Sequence, residues 1–408
     1  WWIHSANDYG FVPWAGVFTA DIDTSEAADL SNLVNNGNAT TSIHAFESGL
    51  NRFFYYDHNS NTDFDDTTMA NHYAEATQWF ADRNIPIAQY VTPHYYEIGS
   101  NAFSGLQGWG VEYISTVMDP GSGEAGSIPW MQAGPFRLYE SGIAGDRNHN
   151  IYYADYIPGY PGFFNCITEI RDVTGYEWLG SGRTSVPVAS ADGIEWLSRA
   201  LDSMAIADLF SHEYTFISSM SQTNWEAILQ GITTGIADYD PIYVSRDYAC
   251  QYARAVHDSD IGSASYDADT RLLTTNLSGT TDTETKFYLF TEDGGQITHY
   301  LLDVPAFDGT TQVEFTLPGP LNSISVTPNP ADVVAGGTQQ FTAQDSYIMS
   351  NLPVPYEEME QYWRHFNYTY VVIYPPEREQ EVMAILGPDA DETYNFTHAA
   401  EQASQDIL

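Results

Sequence analysis

The chain has 408 residues, 43% hydrophobic and 14% aromatic, with 55 acids against 13 bases and a formal net charge of −42. That length calls for two to four folding units, and the aromatic content separates the chain from a disordered acidic tail. The charge repels phosphate backbones and anionic bilayers, which excludes nucleic acid as a partner, and no run of about 18 apolar residues offers a transmembrane segment.

An acidic surface whose single lysine is Lys286 suits high salt, cations or a neutral substrate, and keeps an exported protein soluble. The opening "WWIHSANDYG" reads as a mature product, so the expected location is extracellular or at the cell surface. Sequons at Asn38, Asn276, Asn367 and Asn395 point the same way as candidate glycosylation sites. Cys166 and Cys250 either pair as a disulfide in an oxidising compartment or stay reduced in the core, and their spacing fits no zinc motif.

Strand-like and helix-like patterns alternate over residues 1–260. "AGVFTADID" (15–23) is a strand, and "TSEAADLSNLVNNG" opens a helix with Thr24 as N-cap and Gly37 as stop. "ATTSIHAFES" (39–48) is the next strand, and "RFFYYDH" (52–58) follows it. The spacing of Met69, Tyr73, Ala76 and Phe80 predicts an amphipathic helix over 65–84. "IPIAQYVTPHYYEIGSN" (86–102) begins as a buried strand, and "GVEYISTVMDPG" comes after it. A helix is expected at 192–205, a strand in "IADLFSHEYTFI" (206–217), a helix at 223–236, and then "PIYVSRDYA" (241–249). Such alternation predicts an α/β unit with a parallel sheet, open or closed into a barrel, with ligands at the carboxyl ends of its strands. Short alternating strands with Gly-rich turns make 261–318 a small antiparallel β-sandwich.

Three expected strand ends carry histidine: His44, His94 and His212. Asp21 and Asp23 alternate at the end of the first strand, which would set both carboxylates on one side of it. Imidazole and carboxylate together suit a divalent transition metal, zinc foremost, with an open position for water. Asp8 is a rival for either acid role, and Glu97 could orient His94 from behind. In "DHNSNTDFDD", Asp57, Asn59, Asn61, Asp63 and Asp65 alternate as oxygen ligands do in calcium loops, but without the Gly and Glu of an EF-hand. Asp146, Asn148 and Asn150 repeat that opening in "DRNHN", and both stretches are either calcium sites or solvated polar loops. A nucleophile elbow, a P-loop and a dinucleotide fingerprint are all missing from the sequence, which leaves serine hydrolase, nucleotide and NAD readings unsupported.

"FTADID", "IHAFES" and "LFSHEYTFISSMSQTNWEAIL" together resemble the polysaccharide deacetylase superfamily over residues 1–260. These are metal-dependent carbohydrate esterases on an irregular (β/α)7 barrel. The resemblance implies Asp21 as general base, Asp23 and His44 as metal ligands and His212 as general acid. It departs from the family in two places. Ile22 separates acids that are adjacent in the family, and His44-Ala-Phe-Glu-Ser48 replaces a His-x-x-x-His motif, so His94 is the candidate for the missing ligand. Residues 319–345 resemble part of a bacterial Ig-like domain of the group-2 type. Residues 346–408 resemble an α+β segment from relatives of papain-like, bacteriocin-processing cysteine peptidases, without a cysteine to act as nucleophile.

The expected function is therefore an exported N-acetyl carbohydrate deacetylase acting on a polymer. One alternative is a glycoside hydrolase with paired carboxylates. The other is a non-catalytic surface or filament protein that self-assembles through its β domains.

Overall fold

The computed structural model describes residues 1–116, 153–167, 172–174, 185–202, 206–212, 215–216, 220–267, 269–293 and 296–317, with short strand pieces beyond. The chain separates into two compact units. The first comprises Trp1–Ala200 and Ile206–Gln251, and the second Leu201–Ala205 and Tyr252–Leu408. Among the described residues helices and strands mix, in several small sheets.

In the first unit, α1 (Trp2–Asp8) precedes β1 (Trp14–Phe18), which runs parallel to β2 (Thr40–Ala45). Between them lies α2 (Thr24–Asn35), whose N-cap is Asp23 rather than Thr24. The Asp23 carboxylate accepts the Ser25 and Glu26 N–H groups, and Glu26 accepts Asp23 N–H in return. A carboxylate that meets two orphan amides at a positive helix end stabilises the first turn, which is why the helix starts there. Gly37, at φ 75°, turns the chain out of α2 as expected.

α3 (Asp66–Asp82) is capped by Asp65 and buries Met69, Tyr73, Ala76 and Phe80, the face that the spacing predicts. Each large side chain fully buried this way contributes about 1.5–3 kcal/mol. Gly105 in α4 (Phe103–Gly108) lies so close to the Tyr73 ring that a Cβ would stand 2.1 Å from it, so glycine sets this helix contact.

The predicted strand at 86–91 is short, with only Tyr90–Val91 pairing as β3. It runs parallel to β4 (Tyr113–Ile114), which runs parallel to β6 (Tyr160–Ile167), while β5 (Tyr153–Ile157) closes that sheet antiparallel. Ala88 N–H bonds Thr41 O, so the order carries on from β2 to the β3 segment. α5 (Val186–Asp202) and α6 (Gln222–Gly235) follow.

Two expectations change here. The segment expected as a strand at 206–217 makes one isolated parallel bridge, Phe210 to Asp172. "PIYVSRDYA" is an extended loop that enters α7 (Arg246–His257), because from Arg246 onward its apolar residues follow helical spacing.

The second unit is built on β7 (Ser259–Asp267), β8 (Leu272–Thr281), β9 (Thr285–Asp293), β10 (Gln296–Val304) and β11 (Phe307–Thr316). β8 lies between β11 and β7, and β10 pairs with β9, all antiparallel. Residues from both sheets, including Ile261, Tyr266, Leu273, Leu277, Leu289 and Leu302, form one apolar core. A bulge between Ile261 and Ser263 shifts the pleat by one, so that the buried set continues at Ala264 and Tyr266.

β12 (Ile324–Ser325) and β13 (Asp332–Val333) form a short pair. β14 (Thr338–Gln340) adds to β7, and β15 (Tyr370–Ile373) adds parallel to β9. The segments expected as separate 319–345 and 346–408 pieces therefore supply strands to this unit's sheets.

Candidate functional site

His44 and His94 meet in the first unit. His44 lies one residue from the end of β2, and Gly16 of β1 makes room for it: a Cβ there would come within 3.1 Å of the His44 Cβ. His94 follows β3 in the turn that Pro93 begins.

The hydrogen bonds settle which ring nitrogen of each carries the proton. His44 Nδ1 stands 2.6 Å from Thr92 O, and His94 Nε2 stands 2.9 Å from Gly49 O. A carbonyl only accepts, so both nitrogens donate, and the second nitrogen of each neutral ring holds a lone pair. Those two lone-pair nitrogens, His44 Nε2 and His94 Nδ1, face each other at 3.0 Å. Burial, then the neighbouring His94, holds His44 well below its usual 6.5. Burial likewise lowers His94 to about 4. While both rings are uncharged, lone pair faces lone pair.

Aromatic side chains enclose the pair. Phe18 sits edge-on to both rings at 5.1 and 5.2 Å, and Phe53 stacks on His94 at 5.9 Å. Tyr95 lies 4.2 Å from His94 and stacks on His58 at 4.5 Å. Tyr95 and Tyr96 both adopt left-handed backbone, at φ 56° and 59°. Each such residue costs on the order of 1–3 kcal/mol and persists only where its surroundings hold it, which is common at functional sites.

Two histidine–carboxylate dyads flank the pair. His212 Nδ1 lies 3.0 Å from Asp172 Oδ2, and the same oxygen accepts His212 N–H. Asp172 is buried at 2% exposure and also accepts Thr174 and Ser211. A charge on His212 would act, as a minor contribution, to lower both His44 and His94. In the second dyad, His58 Nδ1 sits 2.8 and 3.0 Å from the two oxygens of Glu97. Glu97 therefore orients His58 and not His94, and burial raises its carboxyl above the usual range.

Asp172, His58 and Glu97 as a partner of His58 escaped the sequence reading. Asp172 follows a segment with no recognisable motif, and His58 was read only as the end of "RFFYYDH".

The acid pair lies elsewhere. β1 stops at Phe18, before either acid, so strand alternation does not apply to them. Asp21 is exposed and accepts Ser48 N–H at 2.7 Å. Asp23 is exposed and committed to the α2 cap. Asp8 is exposed at the end of α1. Among the described residues no three His, Cys, Asp or Glu stand together as a cation cage, so Asp23 does not join His44 and His94 in one ligand set.

The first expected calcium loop scatters in the same way. Asp57 holds Ser60, Asn59 donates to Leu50 O, Tyr56 OH reaches Asn61 at 3.4 Å, Asp63 holds Ser100, and Asp65 caps α3. Pairing of Asp57 with Thr62 closes this stretch as a tight turn. Asp146, Asn148 and Asn150 lie outside the described residues.

Cys166 and Cys250 are free, buried thiols rather than a disulfide. They touch each other. The hydrogen bond from Cys250 lowers Cys166, while burial pushes Cys250 up. Among the sequons, Asn38 is exposed in the turn after α2. Asn276 is bound across its sheet, donating to Ser263 and accepting from Gln312. Asn367 and Asn395 fall outside the described residues.

No family model, curated protein or solved structure matches the chain. Among the described residues no helix is long and apolar enough to cross a membrane.

Proposed function

We propose that the first unit is a metal-dependent hydrolase that removes N-acetyl groups from a carbohydrate polymer. One observation carries this reading: two histidines whose outer nitrogens are pinned to carbonyls turn their remaining lone pairs toward each other at 3.0 Å. That donor set suits a borderline cation such as zinc, which bonds imidazole nitrogen at about 2.0–2.1 Å. His44 and His94 would hold the ion, and when bound it supplies a Lewis acid that polarises an acyl oxygen.

The protein's own groups supply the rest. His212, oriented by buried Asp172, gives a proton to the leaving nitrogen. The aromatic side chains around the pair, Tyr95 among them at 36% exposure, offer faces on which a sugar ring can stack. The sequential parallel order of β1, β2, β3, β4 and β6 supports the finer reading of an irregular (β/α)7-type barrel with the site at its carboxyl ends. The acidic surface accords with export to the cell surface or medium.

A glycoside hydrolase has less support. The buried carboxylates Glu97 and Asp172 each hold an imidazole, whereas that chemistry needs two carboxyls facing one sugar.

The test is elemental analysis of the purified chain after zinc reconstitution, followed by acetate release from penta-N-acetylchitopentaose. About one zinc per chain, lost in His44→Ala and His94→Ala, is the expected result. No retained transition metal sinks the reading, and the protein is then a scaffold whose assembly should be measured instead.

A further inference from the structure

The hydrolase reading leaves the general base unassigned by geometry, because Asp21 sits in an exposed turn with Ser48 N–H on its carboxylate. A second imidazole is better placed. His58 lies beside the same aromatic walls as His94: Phe53 is 5.5 Å from its ring and Tyr95 stacks on it at 4.5 Å. The Tyr95 ring touches both imidazoles, 4.5 Å from His58 and 4.2 Å from His94.

Glu97, 6% exposed, brings both oxygens to His58 Nδ1. An ionised carboxylate accepts, so Nδ1 carries the proton, and in the uncharged ring Nε2 carries the lone pair. The His58 side chain is 34% exposed, enough for a bound molecule to reach it.

Resting on the reading above, we infer that His58, held by Glu97, is the catalytic base of the deacetylation. The water oxygen bonds to the acyl carbon while its O–H bond breaks and the proton passes to His58 Nε2. The C–N bond then breaks, and the leaving nitrogen takes its proton from His212. Acetate and the free amine depart. His58 releases its proton to solvent and His212 regains one, so the site returns to its starting state.

The experiment uses the full zinc-reconstituted chain and acetate release from penta-N-acetylchitopentaose. His58→Ala should lower kcat by about 10²–10⁴-fold, with KM within about threefold and zinc retention unchanged. Added imidazole should restore part of the rate, which a purely structural role would not allow. Glu97→Gln should lower kcat by about tenfold or more while His58 stays in place, because the wrong tautomer becomes accessible.

Activity of His58→Ala within about threefold of wild type, with the loss falling on Asp21→Asn instead, overturns this role alone. So does a His58→Ala defect that imidazole leaves untouched and that comes with lost zinc. A wild-type chain that retains no zinc and releases no acetate overturns the hydrolase reading and this role together.

Discussion

Two buried histidine environments lie in the first unit, and they differ in one respect. His72 is caged by Phe46, Phe54 and Phe64 at 5.0, 5.7 and 4.7 Å, and its Nδ1 donates to Phe54 O. His44 and His94 are caged by Phe18, Phe53 and Tyr95, and each likewise donates to a carbonyl. Burial lowers the pKa in all three. The difference is the second nitrogen. The free nitrogens of His44 and His94 face each other at 3.0 Å, whereas His72 has Arg52 and Glu75 as its charged neighbours. Burial and an aromatic cage are common to all three histidines, so the facing nitrogens are what set His44 and His94 apart.

The largest way to break this contrast is to remove one member of each. His44→Ala should weaken zinc retention by more than about 100-fold and abolish acetate release, whereas His72→Gln should leave zinc retention unchanged, as read by competition with a metal-sensitive dye. Equal loss in both variants would show that the cage, not the convergence, makes the site.

Next in size is Asp172→Asn. It removes the charge behind His212 without changing the shape of the side chain, and kcat should fall by about 10²–10⁴-fold while zinc is kept. Unaltered turnover would remove His212 from the chemistry.

The pH dependence of stability sharpens the comparison at its other end. Burial sets the folded His72 below the usual 6.5, so the unfolded chain takes up that proton first. Stability attributable to this ring is present above about pH 6.5 and is lost as acid carries it through its lower folded pKa. Urea melts of wild type and His72→Phe across that window should show a smaller acid loss in the variant.

The smallest effect is expected at Tyr95. Glycine relieves the left-handed backbone but gives up the stack on His58, so Tyr95→Gly should change stability by less than about 1 kcal/mol while acetate release falls. A large loss of stability with activity preserved would make Tyr95 a purely structural residue.

Much of the fold was legible in the sequence wherever one element buries one face. The α3 stripe of Met69, Tyr73, Ala76 and Phe80, the α6 helix and the alternating strands of the second unit follow from helical and strand periods. The placing of two histidines near strand ends was legible too, since His44 lies one residue from the end of β2 and His94 follows β3, while the strand expected before His212 makes only an isolated bridge. Local competition misled the reading elsewhere. Asp23 looked like a strand-end ligand, but two helix amides claimed its carboxylate. "PIYVSRDYA" carries β-branched residues at its start and helical spacing at its end, and the helix prevailed from Arg246.

The sequence by itself determined which residues are buried and in what period, because burial is decided within one element and repeats along it. It also determined the formal net charge of −42. Only the tertiary structure decided the partners: Asp172 for His212 at 40 residues' separation, Glu97 for His58 at 39, and His44 for His94 at 50. A hydrogen bond between side chains depends on a distance of about 3 Å and on direction. No local period encodes either, and both are set when separate strands end side by side.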